Sequence, residues 1–499
     1  MRTTRRSFLK TAGAAAGATV ISFGSARSAA LAQNRKPLSD VVILLPGIMG
    51  SVLRKDNRDV WALSGGAILN GLRSLGGSVR DLTLKNDSPD EEDLGDGITA
   101  DRIFPDTHLI PGLWKIDGYS KISKSITETF DAQPGRNFFE FPYDWRRDNR
   151  AAARTLARFS HDRLKAWRES SGNRDAKLIL VAHSMGGLVS RYFLEVLGGW
   201  RDTRMLITFG TPYRGSLNAL NFLANGLTKV VGPFTLVDLS TLVRSFTSVY
   251  QLLPIYPCYD GGNGRLLRVG ETSGIPNVDR GRAKRALAFH DEIRTAVEQN
   301  ARDSAYLMGR YTIHPIVGTY QPTLQIGRLV GGKVEMSVTY PGETFQGDGT
   351  VPQPSASPIE PDALTAQHKK VFVAEVHGSL QNSIPMLNHV RGLLEEGAGF
   401  GDRFRDPGLS SVALMVDDVY STDEPVVLRI RCQDPRAELS ADIVDAPTSD
   451  VVSQKRLGGA GSDELRADLG QLKEGIYRVR VAGDASVGSA SDVFVVSRP

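Results

Sequence analysis

The feature that most constrains the fold is a series of continuous apolar runs, each ended by glycine or proline, from residue 41 onward. They read VVILLPG, FFEFPYDW, KLILVAHS, MLITFGTP, IHPIVGT and KVFVAEVHG. Runs without polar alternation are typical of strands that are covered on both faces of a sheet. Helical patterns lie between several of them, as at residues 150–169 and 187–197. This alternation predicts a mostly parallel α/β sheet, and a chain of 499 residues can bury a core of that size.

The texture of the chain changes from about residue 405 to residue 499. Short alternating runs such as PVVLRIRCQD, GIYRVRVAG and ASDVFVVS are separated there by Gly, Asp and Pro. Alternation at this spacing without a helical period predicts a small β-sandwich of the immunoglobulin-like kind. We therefore expect an α/β domain at residues 38–400 and an accessory β-sandwich domain at residues 405–499.

The N-terminus has the pattern of a twin-arginine export signal over residues 1–32. Arg5 and Arg6 precede a weakly apolar stretch, and ALA follows at residues 30–32. A membrane anchor is the alternative, but a stretch of about 14 apolar residues is shorter than the roughly 20 needed to span a bilayer. We therefore expect export to the periplasm or beyond, and no transmembrane helix in the mature chain.

Composition excludes several classes of function. The signal carries five basic residues and no acidic one, so its removal changes the formal charge from +4 to 4 − 5 = −1. The basic charge therefore does not indicate a nucleic-acid partner. Cys258 and Cys432 allow one disulfide at most, and they cannot form a metal cluster or a disulfide framework. No metal or cofactor is expected.

Ser184 lies where one of the apolar runs ends, in LILVAHSMGGLVSRYFLEVL at residues 178–197. A serine nucleophile on a sheet needs a sharp turn from strand to helix, so the residues two before and two after it must be small. Ala182 and Gly186 meet this requirement, although glycine is more usual at the first position. Such a match often arises by chance, but the flanking strand and helix patterns favour an exposed nucleophile.

An acid and a histidine follow Ser184 in the order found in serine hydrolases of this architecture, each after a later strand. Asp348 lies between two glycines in GETFQGDGTVPQPSA, and His377 follows KVFVAEV. A turn aspartate and a surface histidine are the alternatives, but three residues in order at three strand ends favour a triad. His389, inside the helical pattern SIPMLNHVRGLLEE, is the competing base.

Two backbone amides are expected to form an oxyanion hole. The first is the N–H of Met185, which begins the helix after the nucleophile. The turn in LLPGIMGS offers the second through the N–H of Ile48 or Met49, with a plain turn as the alternative. His183 adjoins Ser184 in sequence, but a tight turn points it elsewhere. A packing or hydrogen-bonding role is therefore expected for it.

Two insertions are interpreted as lids. Residues 52–112 are rich in Gly and Asp and hold the exposed-looking segment DVWAL around Trp61. Residues 216–256 are unusually apolar and have few charges. Their place on the edge of the sheet that carries Ser184 favours a lid that opens at a lipid surface. Burial as plain core is the alternative for this second segment.

The motifs together resemble the lecithin:cholesterol acyltransferase family of α/β hydrolases, which includes lysosomal phospholipase A2 and phospholipid:diacylglycerol acyltransferases. The matching segments, in family order, are VVILLPGIMGS, FPYDWRRD, VAHSMGG, FGTPYRGS, GDGTVP and VHGSL. The resemblance implies an α/β-hydrolase fold with Ser184 as nucleophile, Asp348 as acid and His377 as base. It also implies backbone amides of Ile48 and Met185 as the oxyanion hole.

The resemblance gives two further expectations. Asp144, Trp145 and Arg146 fall on the YDWR element, where a structural role is expected, with the acid and the arginine paired near a strand end. The C-terminal β-rich domain lies outside the family core, so the resemblance implies no role for it.

The resemblance and the triad predict an enzyme that cleaves or transfers acyl esters of lipids through an acyl-enzyme. Water or a lipid alcohol would resolve that intermediate, and the sequence does not decide between them. The expected substrate is a lipid or other ester, at a membrane or lipid surface. Two alternatives are an extracellular polyester depolymerase whose sandwich grips the polymer, and a catalytically silent hydrolase-fold protein with a binding or assembly role.

Overall fold

The computed structural model describes residues 35–61, 81–105, 107–110, 114–231, 234–309, 311–358, 370–396, 410–459, 464–484 and 486–498. The predicted export signal at residues 1–32 lies outside the described residues, as does the predicted start of the second domain near residue 405. Both therefore stay predictions.

A six-stranded sheet forms the centre of the N-terminal domain. The strands of that domain are β1 Val41–Leu45, β2 Ser51–Lys55, β3 Arg58–Trp61, β4 Ile98–Ile103, β5 His108–Ile110, β6 Trp114–Ile116, β7 Phe138–Glu140, β8 Leu178–His183, β9 Thr203–Phe209, β10 Thr228–Val231, β11 Phe234–Asp238, β12 Tyr259–Asp260, β13 Leu266–Leu267, β14 Thr312–Gly318, β15 Ile326–Val330, β16 Lys333–Ser337 and β17 Val371–Val373. The central order is β17-β14-β9-β8-β1-β7, and every neighbouring pair is parallel. The predicted parallel α/β sheet is confirmed.

Both faces of this sheet are buried, which explains why its strands lack polar alternation. In β8, Leu178 and Leu180 belong to one apolar cluster, while Ile179 and Val181 belong to a second cluster on the other face. Each of these side chains is no more than 2% exposed. Successive side chains of a strand point to opposite faces, so a strand covered on both sides must be apolar throughout.

Helices cover the two faces of the sheet. They are α1 Ser120–Thr129, α2 Asn149–Ser171, α3 Met185–Glu195, α4 Leu217–Asn225, α5 Ser240–Ser245, α6 Thr247–Gln251, α7 Arg280–Asn300, α8 Ser304–Gly309 and α9 Ile384–Glu396. The helix predicted at residues 150–169 is α2, which is capped at both ends. Asp148 accepts the N–H of Arg150, and Gly172 ends the helix with a φ of 71°.

The first insertion is more ordered than its composition suggests. Strands β3, β2 and β4 form a small antiparallel sheet, and β5 pairs with β6. The expectation that Trp61 is exposed is wrong, because its side chain is 2% exposed and lies against Trp145 with ring centroids 4.9 Å apart. Its indole N–H donates to Met49 O at 3.3 Å, so the insertion is anchored to the turn after β1.

The second insertion folds as α4, the hairpin β10-β11, α5 and α6. Most of its described apolar side chains are buried in the same cluster as one face of the central sheet, including Leu217, Leu220 and Val243. Phe222 of α4 is partly exposed and lines the cleft beside Ser184. A closed lid and a core segment bury the same side chains, so lid opening stays a prediction.

The C-terminal domain is a β-sandwich, as predicted. Its strands are β18 Val412–Val416, β19 Val419–Ser421, β20 Val427–Cys432, β21 Glu438–Asp445, β22 Val451–Gly459, β23 Leu465–Asp468, β24 Gly475–Ala482 and β25 Ser489–Ser497. They form a three-stranded sheet, β18-β20-β23, and a five-stranded sheet, β19-β25-β24-β21-β22. The inward side chains of both sheets make a separate apolar core.

Two other expectations from composition concern cysteines and membrane spans. Cys258 and Cys432 are both free thiols. Within the described part of the chain, none of the helices has the length and apolar character required to cross a bilayer.

Candidate active site

Ser184 lies on a strained turn between β8 and α3. Its φ is 52° and its ψ is −123°, a backbone conformation that residues other than glycine rarely adopt. The turn has no room for larger neighbours, since a methyl group on Gly186 would lie 2.5 Å from Pro46 O. A methyl group on Gly187 would overlap the side chain of Thr211. Gly186 and Gly187 are thus required by contacts with the loops that follow β1 and β9.

The structure brings Ser184, His377 and Asp348 together. The Oγ of Ser184 lies 2.9 Å from His377 Nε2, and His377 Nδ1 lies 2.7 Å from Asp348 Oδ2. A carboxylate accepts hydrogen bonds, so Nδ1 carries the proton and Nε2 is free to accept the proton of the serine. All three residues are at most 4% exposed.

The loop that carries Asp348 holds its carboxylate in place. Oδ1 accepts the N–H of Thr350 at 2.9 Å and that of Val351 at 2.7 Å, while Oδ2 faces His377. The backbone N–H of His377 donates to Asp348 O at 2.9 Å. The GDGTVP motif therefore supplies both the acid and the amides that orient it.

The competing histidine, His389, lies elsewhere. It is on α9, it is 2% exposed, and it is absent from the residues that line the cleft. Burial lowers its pKa to about 4. The structure therefore places His377, and not His389, within hydrogen-bond distance of Ser184.

The turn after β1 packs directly against the serine. A methyl group on Gly47 would lie 2.9 Å from Ser184 Cβ, and Gly50 N–H donates to Gly47 O at 3.1 Å to close the turn. Ile48 and Met49 are the central residues of this turn, and both line the cleft with Ser184. Met185 is the first residue of α3, where backbone N–H groups have no partner within the helix. Ile48 and Met185 thus lie close to Ser184, and the oxyanion hole stays a prediction.

A chain of hydrogen bonds behind the site connects this turn to His377. Gly47 N–H donates to Tyr119 Oη at 2.8 Å, and Tyr119 Oη lies 3.1 Å from His183 Nδ1. His183 Nε2 lies 3.0 Å from His377 O. A carbonyl only accepts, so Nε2 donates to it and Nδ1 accepts from the tyrosine hydroxyl.

This arrangement needs a neutral His183, and burial lowers the pKa of its imidazole well below the ordinary value. The expected hydrogen-bonding role of His183 is confirmed. Tyr119 was not recognised in the sequence, because its two partners lie 72 and 64 residues away along the chain.

The YDWR element is structural, as predicted. Arg146 is fully buried, and its guanidinium contacts the Asp144 carboxylate at 2.6 Å and that of Asp96 at 2.9 Å. The indole of Trp145 donates to Ser51 O at 3.0 Å. The element therefore joins the end of β7 to the first insertion.

The serine opens into a cleft of about 480 Å³. On the side of α4, α5 and α6 its lining is mainly apolar, from Ala219, Phe222, Val243, Val249 and Leu252, with Asn218 and Asn221 of α4 beside them. Residues of the C-terminal sandwich also line it, as described below. In the described residues no group of three or more His, Cys, Asp or Glu side chains could hold a metal ion.

Part of the chain is similar in sequence to known proteins. Residues 112–270 match the family model described as lecithin:cholesterol acyltransferase. The human protein named lysosomal phospholipase A and acyltransferase is 26% identical over 255 residues, which are 48% of this chain and 56% of that protein. An uncharacterised protein of Saccharomyces cerevisiae is 29% identical over 159 residues, which are 31% of this chain and 20% of that protein. The match thus spans about half the length of the human relative and one fifth of the length of the yeast relative.

A crystal structure of a lipase from Bacillus licheniformis aligns with 72% of this chain and 94% of that chain, at 12% identity and a TM-score of 0.32. The family match covers Ser184 and the turn that carries it. Residues 112–270, within the N-terminal domain of this chain, are therefore similar to the lecithin:cholesterol acyltransferase family of α/β hydrolases.

Proposed function

We propose that this protein is an exported serine esterase that hydrolyses acyl esters of lipids or transfers their acyl groups to an alcohol. The observation that carries the proposal is the hydrogen-bonded set of Ser184, His377 and Asp348, which line a cleft with both apolar and polar walls. The human relative named as a phospholipase and acyltransferase supports lipid esters as the substrate class. Export rests on Arg5 and Arg6 in the N-terminal segment.

The mechanism follows from the proton positions. His377 Nε2 takes the proton of Ser184 while Oγ attacks the ester carbonyl carbon, and Asp348 stabilises the imidazolium that forms. The negative oxygen of the tetrahedral intermediate binds the amides of Ile48 and Met185, each worth on the order of 3 kcal/mol of transition-state stabilisation.

The leaving alcohol then takes the proton from Nε2, and the acyl group stays on the serine. Water or an acceptor alcohol resolves this acyl-enzyme by the same steps in reverse. It gives its proton to His377 as its oxygen attacks the acyl carbon, and the proton returns to Ser184 as the serine leaves.

The proposal is tested with a fluorophosphonate probe and a panel of p-nitrophenyl esters and phospholipids, with and without an added alcohol. The wild-type chain should be labelled at Ser184 and should release fatty acid, or acylate the alcohol. Ser184→Ala should abolish labelling and turnover without loss of the fold.

A pair of histidine variants tests the base. His377→Ala should lose several orders of magnitude in kcat, whereas His389→Ala should keep labelling by the probe. An inactive His389→Ala enzyme beside an active His377→Ala enzyme would reverse the assignment. A wild-type chain that neither reacts with the probe nor turns over any ester would favour the silent binding protein.

A further inference from the structure

The C-terminal sandwich is fastened beside the acid of the triad through Gln321. The backbone N–H of this buried glutamine donates to Gly347 O at 3.0 Å, next to Asp348. Its side-chain amide donates to Val412 O at 3.1 Å and accepts the N–H of Leu414 at 3.1 Å. β18 is an edge strand that pairs only with β20 in its sheet. The amide of Gln321 therefore bonds the backbone groups on the edge of β18 that faces away from β20.

A second attachment lies beside the base of the triad. Glu375, two residues before His377, is 4% exposed, and its Oε1 accepts the N–H of Ser491 on β25 at 3.0 Å. The same oxygen accepts the N–H of Val376 at 3.0 Å. The strand end that presents His377 is therefore bonded to the sandwich.

A third attachment is a partly buried ion cluster on β6. Lys115 Nζ lies 2.8 Å from Asp418 and 2.9 Å from Asp492, both in the sandwich. Burial opposes the charge of this lysine, but the two carboxylates outweigh that effect and raise its pKa. The backbone of β6 touches Gly378, next to His377, where a methyl group would overlap Lys115 O. Three attachments of this kind fix the sandwich at the edge of the cleft.

The first strand of the sandwich forms part of the cleft wall. Val412, Leu414 and Val416 lie in the sandwich core, so the alternation of a strand turns Met415 to the opposite face. Met415 is partly buried and lines the same cleft as Ser184 and His377. Leu414, Val416, Asp418, Arg429 and Asp492 of the sandwich line the same cleft, so this wall also carries charged side chains.

The chemistry decides which part of an ester meets this wall. The imidazolium of His377 gives its Nε2 proton to the leaving oxygen, so that oxygen must lie within about 3 Å of Nε2. The alcohol part of the ester therefore leaves the serine along the residues that flank His377, where the sandwich is fastened. The acyl part of the ester then lies against the side of the cleft formed by α4, α5 and α6.

We propose that the C-terminal sandwich forms the binding wall for the alcohol part of the substrate, with Met415 as its specificity-determining side chain. The acceptor alcohol of a transfer reaction occupies the same wall, since its oxygen must reach the same Nε2. An alcohol with an apolar body and a polar end fits a wall in which an apolar methionine lies among charged side chains. This inference rests on the proposed esterase function.

The test uses the full chain and two series of esters whose hydrolysis is followed by pH-stat titration. One series keeps butyrate and changes the alcohol from methanol to butanol and octanol. The other keeps the methyl ester and changes the acid from butyrate to octanoate and decanoate. The variants are Met415→Trp and, as a matched control, Met308→Trp, because Met308 lies on α8, is 83% exposed and does not line the cleft.

Filling the wall with tryptophan should lower the octyl-to-methyl ratio of kcat/KM in the butyrate series by about tenfold or more. The decanoate-to-butyrate ratio of the methyl esters should stay within about twofold of wild type. Met308→Trp should keep both ratios. If Met415→Trp does not fold, Met415→Ala gives the test, with an expected fall of about threefold in the octyl-to-methyl ratio from the lost apolar contact.

A shift in the acyl series equal to that in the alcohol series would overturn the inference, and so would an unshifted alcohol series in a folded, probe-reactive variant. Failure of the proposed function is a separate result. In that case the wild-type chain itself would neither react with the fluorophosphonate nor hydrolyse methyl butyrate.

Discussion

Replacement of Tyr119 by phenylalanine removes one oxygen from the hydrogen-bond chain behind the active site. Gly47 N–H loses its acceptor at 2.8 Å, and His183 Nδ1 loses its donor at 3.1 Å, both in buried positions. A buried polar group without a partner costs about 1–3 kcal/mol. The two losses are partly offset, because the variant no longer has to bury a hydroxyl. We expect a decrease of about 2–4 kcal/mol in the free energy of unfolding.

The same variant should lose activity through the turn after β1. Gly47 precedes Ile48, whose amide is proposed to bind the oxyanion, so a loosened turn displaces that donor. Complete loss of one donor lowers kcat by about 100- to 1000-fold. A displaced donor should cost about tenfold, with little change in KM for a short ester, because the contact forms in the transition state.

Thermal unfolding and kcat for p-nitrophenyl butyrate measure the two effects, with active enzyme counted by fluorophosphonate titration. Because the entropy of unfolding grows with domain size, the melting temperature should fall by about 3–5 °C. Tyr340→Phe is the control, since that hydroxyl donates to Pro257 O at 2.9 Å in an exposed position where water can replace it. If Tyr119→Phe kept wild-type stability and kcat, the proposed role of these hydrogen bonds would be refuted. Equal losses in Tyr119→Phe and Tyr340→Phe would refute it as well.

Three other outcomes are expected. Burial raises the pKa of Glu375 to about 7, so the folded protein keeps a proton that the unfolded chain releases above about pH 5. The free energy of unfolding should therefore fall by up to about 3 kcal/mol as the pH rises to about 8. Urea unfolding midpoints measure this fall, which should be smaller in Glu375→Gln. Gly187→Ala should lower the free energy of unfolding by about 1–3 kcal/mol and should lower kcat, because its methyl group displaces Thr211. The hydroxyl of Thr211 donates to the backbone carbonyl of Ser184. An unchanged melting curve would contradict this prediction. Lysine at both Arg5 and Arg6 should leave the uncleaved chain in the cytoplasm, and mature protein in the periplasm of that strain would disprove the export route.

The sequence alone determined the features that depend on local chemistry. Strands buried on both faces must be apolar throughout, so the central sheet was readable from runs such as VVILL and LILVAH. A sharp turn from strand to helix needs small neighbours, so the elbow at Ser184 was recognisable from Ala182 and Gly186. The order of strand ends then suggested Asp348 and His377 as its partners.

Only the tertiary structure decided the contacts between distant segments. Trp61 reads as exposed in a polar insertion, yet it packs against Trp145, 84 residues later in the chain. Tyr119 and Gln321 have no signature in their own neighbourhoods, because each is defined by partners from other elements. The place of Met415 beside the catalytic residues follows from how two domains pack, and a strand's alternation shows which side chains share a face but not what that face will meet.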